Sequence, residues 1–274
     1  MVKTKRELVF ATFVTSGLAV IATLVSLGTQ NWVSSEVKIT EKFSQVNYGL
    51  FTGLYRRTVG SERPMIYDIS MTCSMSDNKC AMLCEATSEA RSAKLTALIE
   101  NNNSSFGCME RRQIFFNPQL TSTRDDSSQS TFINAGLWLS TIIFLVLSSV
   151  AGLGATVLAM FNTVYNPIEI YVNITGLFIW NCVAIFFSLL TMIMWGVVYA
   201  SVLIDNISVY DTIVADGYTV NAILNYSYWL NLVAFVLYVS SVILIAVRQY
   251  LINKEPLVMH ADIQQETDPG LLIY

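Results

Sequence analysis

Four long stretches of the chain are apolar and almost free of charge: Leu8–Leu27, Ala135–Phe161, Ile174–Ile204 and Trp229–Ile252, with Arg248 the one ionised side chain among them. Each exceeds the ~18 residues that cross the ~30 Å hydrocarbon core of a bilayer as a helix. They lack the apolar–polar alternation of a barrel strand. In lipid, a helix satisfies every backbone N–H and C=O within itself. The pattern predicts four transmembrane helices, at residues 8–27, 132–161, 174–204 and 229–252. The third would reach about 46 Å at 1.5 Å per residue, enough to overhang the bilayer and support what lies above it. The first reads as a retained helix. Its apolar run is too long for a signal peptide, and Gly28-Thr29-Gln30 is a poor cleavage site.

Between the first two helices lies a segment of about 100 residues, 28–131, long enough for a small lobe if disulfides supplement its core. Its start, Trp32-Val33 to Ile39 and then Gln45–Val59, is rich in β-branched and aromatic residues, with Gly49 and Gly53 as bend points. This predicts a two- or three-stranded antiparallel sheet. Lys79–Ile99 has helical spacing, and Thr121–Ser130 reads as a polar linker. Four of the five cysteines, Cys73, Cys80, Cys84 and Cys108, fall in this segment. An even number in an oxidising compartment indicates disulfides, with three pairings open. Cys80 and Cys84 on one helix would point the same way, which favours pairing each with Cys73 or Cys108. Zinc is the weaker reading of the four, since their spacing fits no finger pattern. Cys182, inside the third helix, reads as a packing residue.

Lys3, Lys5 and Arg6 precede the first helix, and Arg248 and Lys254 lie at the end of the fourth. Basic flanks mark the cytoplasmic side, so both termini are expected there. The 162–173 connection is then cytoplasmic, while 28–131 and 205–228 face outside. Sequons at Asn102, Asn103 and Asn206 fall on the outer side and are glycosylation candidates. The sequon at Asn173 falls inside, and Asn225 lies too near the bilayer; both are expected to be unmodified.

Composition narrows the function. Hydrophobic residues make up 53% of the 274 residues and charged ones 13%, against roughly 25% charged in an ordinary soluble domain; mean hydropathy is +0.50. Disorder is excluded, and a net charge of −4 argues against nucleic acid as a partner. No phosphate loop, HExxH or GxSxG occurs, and the single histidine, His260, is in the tail. The reading is of a non-enzyme that needs no cofactor and no metal. Asn134, Asn181 and Asn231 are expected to hydrogen-bond between helices, and Ser148-Ser149-x-x-Gly152-x-Gly154-Ala155 to form a close-packing face. Charged or repeated polar positions over several helices, as a pore or proton relay needs, are not read from the sequence.

Trp32 after the first helix, then Gly49-Leu50-Phe51, then loop cysteines, resembles the claudin superfamily signature, with Phe51 in place of its last tryptophan. Within it the chain looks most like the clarins. Tyr48-Gly49-Leu50-Phe51-x-Gly53 resembles their YGLFxG; Phe161-Asn162 with Tyr165-Asn166-Pro167-Ile168-Glu169, Ser227-Tyr228-Trp229 and the aliphatic pair before Tyr274 follow the same plan. The Cys-rich insert near Ser70–Ser122 departs from it, so no disulfide pairing is carried over. The resemblance implies an all-α membrane protein: a claudin-like four-helix transmembrane bundle, left-handed, with a small disulfide-bonded β-containing extracellular domain. Trp32, Gly49, Leu50 and Phe51 read as anchors that fix that domain on the bundle, rather than as partner contacts.

The implied function is a multi-pass plasma-membrane organiser. Its outer loop would bind membrane or extracellular partners, and the chain could form a homo-oligomer. Leu272-Ile273-Tyr274 would offer a PDZ-type end. The clarin resemblance adds actin-rich specialisations and sensory cells. Claudin-like adhesion or barrier formation and an auxiliary ion-channel subunit are the alternatives. The topology has a direct check. Glycosidase treatment should shift the protein's electrophoretic mobility, and Asn102→Gln with Asn103→Gln, or Asn206→Gln, should shrink that shift. Asn173→Gln should leave it unchanged; a glycan on Asn173 reverses the assignment.

Overall fold

The computed structural model describes residues 2–39, 42–59, 63–100, 108, 132–165, 173–204 and 222–266. Helix α1 is Val2–Gly28, followed by strands β1 Val33–Ile39, β2 Lys42–Tyr48, β3 Thr52–Val59, β4 Met65–Ser74 and β5 Lys79–Leu83. Helix α2 is Ser88–Ile99, strand β6 Ile133–Asn134, and α3 Ala135–Val164. Helix α4, Ile174–Val198, runs on as a π-helical turn at Tyr199–Leu203. Strand β7 is Ala222–Leu224, and α5 is Tyr226–Glu266. Four helices carry segments long and apolar enough to cross a membrane: Arg6–Gly28, Ala135–Val164, Ile174–Leu203 and Tyr226–Lys254. Helices outlast the apolar runs: α5 continues 14 residues past Ile252, although Pro256 has no N–H to donate to Ile252 O.

The chain divides into two compact units. The first, Met1–Ala22, Leu147–Phe187 and Val233–Tyr274, is a bundle built from all four membrane helices. Its buried positions recur at three- and four-residue steps, as in Val9, Thr12, Ser16 and Ala19 of α1, Leu177, Asn181 and Ala184 of α4, and Ala234, Tyr238, Ser241 and Ile245 of α5. That 3.5-residue period is the one that gives left-handed supercoiling. Val9, Ala155, Ala159, Ile174, Leu177 and Ile245 form one apolar cluster. Helix α3 packs closely because its facing residues are small. A Cβ on Gly152 would collide with the Tyr238 hydroxyl and lie 2.8 Å from Val20 Cγ2; one on Gly154 would lie 3.0 Å from the Trp180 ring. Ser148 Oγ donates to Ala184 O of α4 at 3.0 Å, and Thr15 Oγ1 shares a 2.7 Å bond with Ser241 Oγ.

The second unit, Thr23–Val146 and Ser188–Leu232, carries the sheet. It has seven antiparallel strands in the order β6-β5-β4-β3-β2-β1-β7, more than the two or three expected. The extra strands are short or local-pattern-poor: β6 and β7 have 2 and 3 residues. The expected helix over Lys79–Ile99 is also corrected, into strand β5 and helix α2. Cys80 to Leu83 are all fully buried, because both faces of β5 are covered. A strand buried on both sides shows no alternation and is easily read as helix. Thr87 caps α2 by accepting from Ala90 N at 3.3 Å. Val33, Val46, Tyr48, Tyr55, Ile69, Cys80, Met82 and Ile133 share the inner core with Leu145, Trp195, Val198 and Leu203. Ala81 and Leu83 face the other way, against Leu95 and Leu98 of α2.

The interhelical role expected of three asparagines holds for one. Asn231 and Ser188 bond across helices, Oδ1 accepting from Ser188 Oγ and Nδ2 donating to Ser188 O, both at 3.4 Å. Asn181 instead donates to Leu177 O of its own helix at 2.9 Å, and Asn134 precedes α3 as a cap. The repeated polar pattern not read from the sequence is present. Buried Ser or Thr recur on every membrane helix, among them Thr12, Ser26, Thr141, Ser148, Thr191 and Ser227. A run's composition does not say which side a hydroxyl faces. Thr12, Thr141 and Ser241 return their hydrogens to carbonyls one turn back, at 2.7–3.1 Å, so these positions serve close packing without leaving a donor unpaired. Overpacking at the tightest point has a measurable cost. Gly152→Ile should lower stability by about 1–3 kcal/mol, read as a lower thermal midpoint in detergent micelles. Adding Tyr238→Ala should recover part of it.

Candidate functional site

The last four carbonyls of a helix have no partner within it. At the end of α1 the chain supplies them from elsewhere. Trp32 is fully buried, and its indole N–H donates to Ser26 O at 2.7 Å. Ser26 Oγ donates to Ser227 O at 2.7 Å, and Thr29 Oγ1 shares a 2.6 Å bond with Ser227 Oγ. The backbone of Trp32 is held on both sides, its N–H by Tyr48 O and its carbonyl by Asn225 N, each at 3.0 Å. Ser227 N donates to Asn31 O at 3.1 Å. Edge-to-face contacts to Trp195, at 5.3 Å between centroids, and Tyr228, at 6.3 Å, complete the packing. The exit of α1, strands β1, β2 and β7, and the start of α5 are thus tied at one residue. Trp32 anchors through protein contacts and not at a lipid–water interface, because its ring is entirely covered.

Gly49-Leu50-Phe51 forms a second fastening. Gly49 N–H donates to Thr52 O at 2.9 Å to close the β2–β3 turn, and a Cβ on Gly49 would collide with Thr29 O. Only glycine lets this turn lie against the end of α1. Leu50 is fully buried, and its carbonyl accepts from the Trp138 indole of α3 at 2.7 Å. Phe51, 44% exposed, stands edge-on to Trp138 at 6.5 Å. Tyr48 beneath it is fully buried, and burial pushes its phenol well above the ordinary tyrosine range. Burial also raises the Tyr55 phenol, partly offset by the Ser44 hydroxyl and the Arg57 charge.

Two further fastenings were not read from the sequence. The β4–β5 turn places Asn78 at φ 53°, and its side-chain oxygen accepts from Gly136 N at 2.9 Å while Asn134 Oδ1 accepts from Leu137 N at 3.0 Å. Both cap the start of α3; an asparagine just before an apolar helix was the available signal. Tyr199, on the π turn, donates to Ala222 O of the edge strand β7 at 2.7 Å. Asn173 and Asn225, noted as sequons, sit at helix starts and accept from Ile174 N and Tyr226 N.

The cysteines pair Cys73–Cys80 and Cys84–Cys108. Cys73 and Cys80 are opposite partners in the β4–β5 ladder, and Cys84 follows β5, so the shared helix on which the pairing argument rested does not exist. Asn102, Asn103, Asn206, Leu272, Ile273 and Tyr274 lie outside the described residues. Among the described residues no group of three or more His, Cys, Asp or Glu is arranged to hold a metal ion.

Four apolar helices, a β-sheet between the first two and two disulfides in the strand region make the fold claudin-like. No family model matches the chain. Human clarin-3 is 25% identical over 200 residues, covering 71% of this chain and 65% of that protein's own length. Over that span the chain is similar to clarin-3. The residues of the Tyr48–Phe51 turn and Trp32 are among those that join sheet to helix ends. Replacing Trp32 separates the two parts of its role. Trp32→Phe keeps a ring but removes the shorter of the two bonds to the Ser26 carbonyl, leaving Thr29 Oγ1 at 3.3 Å, at about 0.5–1.5 kcal/mol; Trp32→Ala also opens a cavity, at about 3–5 kcal/mol. Thermal midpoints should fall in that order, and a Trp32→Phe midpoint equal to the wild type would show that the N–H contributes nothing.

Proposed function

We propose that this clarin homologue is a non-enzymatic four-span organiser of the plasma membrane, with both termini in the cytoplasm and the disulfide-bonded lobe outside. The observation that carries the reading is the fastening at Trp32 and Leu50-Phe51. It spends several buried hydrogen bonds on holding a sheet to helix ends and none on a reactive group. Such a lobe is suited to presenting a fixed surface to membrane or extracellular partners. Its cytoplasmic link would be the Leu272-Ile273-Tyr274 end, of the kind a PDZ domain takes by strand addition. The clarin likeness supports a place beside actin-rich specialisations, sensory cells included.

Proximity labelling in intact cells tests the link. The full-length protein should label PDZ-containing scaffold proteins, and removal of Leu272–Tyr274 should abolish that labelling while outer-surface neighbours persist. Retention of the scaffold proteins by the shortened chain would sink the tail role. Aggregation of non-adherent cells expressing the protein would instead favour claudin-like adhesion.

A further inference from the structure

Alternation along β3 and β4 sends Tyr55, Tyr67 and Ile69 inward and Leu54, Arg56, Ile66 and Asp68 outward. At the β5 end, helix α2 covers this outward face. Over β3 and β4 it is open: Leu54 is 41% and Ile66 56% exposed, and Arg56 and Asp68 are exposed as well. The register sets these four side chains at the corners of a rectangle, because Leu54 is the partner of Asp68 and Arg56 the partner of Ile66. Strands are about 4.8 Å apart, and the two rows are about 6.8 Å apart along them. The apolar pair therefore occupies one diagonal and the opposite charges the other. Among the described residues neither Arg56 nor Asp68 makes an ion pair.

This arrangement is self-complementary. A twofold axis lying in the interface along the Leu54–Ile66 diagonal puts Leu54 on Leu54 and Ile66 on Ile66. It also puts each Arg56 opposite the other copy's Asp68. A twofold interface requires that one patch match itself under rotation; an axis along either edge direction would set apolar against charged corners, and one along the Arg56–Asp68 diagonal would set like charges together. Faces of two sheets pack about 10 Å apart, a gap that an arginine and an aspartate reaching toward each other span. We infer that the outward face of β3 and β4 pairs with the same face of a second copy of this chain. The inference is independent of the scaffold role, since it involves neither the tail nor any cytoplasmic partner.

Charge reversal tests it with its own control for folding. Two differently tagged full-length copies are co-expressed and one is captured from mildly solubilised membranes. Wild-type chains should capture each other. Arg56→Asp with itself and Asp68→Arg with itself should each lose at least about tenfold of that capture, since each reversal sets like charges together. Arg56→Asp expressed with Asp68→Arg should restore it, because both cross-pairs are again opposite in sign. Absence of capture between wild-type chains, single reversals that pair as wild type does, or a mixed pair that does not recover, each overturns the inference.

Discussion

A helix that ends against a folded lobe can leave a carbonyl out of reach of water, and the joint at the end of α1 is arranged around satisfying that of the fully buried Ser26. Ser26 O takes the Trp32 indole N–H, and the same residue's hydroxyl goes to Ser227 O. Unmade, such bonds would cost the full desolvation of each group. Made, they hold the start of β1 and the start of α5 at one place. The sheet's register then follows, since Trp32 N–H and C=O also serve Tyr48 and Asn225.

The same economy recurs at each junction of strand and helix. Asn78 and Asn134 supply acceptors to the first N–H groups of α3, Trp138 supplies a donor to Leu50 O, and Tyr199 supplies one to β7. Trp and Tyr suit these places because a large apolar ring fills the joint while one polar atom meets a backbone group. The disulfides pack against the same helix-facing core, in which Cys80 is fully buried. Cys73–Cys80 crosses the β4–β5 ladder, and Cys84, just after β5, is bonded to Cys108. The sheet is thereby held by covalent links at β4 and β5 as well as by hydrogen bonds to the helices.

Among the helices the governing constraint is proximity. Lipid offers no hydrophobic drive for helices to associate, so packing contact and hydrogen bonds must supply it. Gly152 under Tyr238, Gly154 under Trp180 and the Ser148–Ala184 bond are the means. Bulk is kept on the exposed side, where Val150, Leu153 and Val157 of α3 face outward.

The four spans were legible in the amino-acid sequence because crossing a bilayer depends on a local property, an uninterrupted apolar length. Trp32 and Gly49-Leu50-Phe51 were legible as anchors through their resemblance to the claudin signature, whereas the burial of the indole against protein came only from the tertiary structure. The inner strands β2 and β3 showed themselves by β-branched and aromatic residues. What the sequence could not determine depended on distant partners. Strand β5 is buried on both faces and so carries no alternation; β6 and β7 are too short to have a period and exist only because β5 and β1 offer them an edge. Whether Asn181 or Asn231 bonds across helices, and which serines face inward, is set by helix rotation, which an apolar run leaves undetermined. The open quartet on β3 and β4 likewise required the register, since only the pairing of strands far from their turn brings Leu54 beside Asp68 and Arg56 beside Ile66.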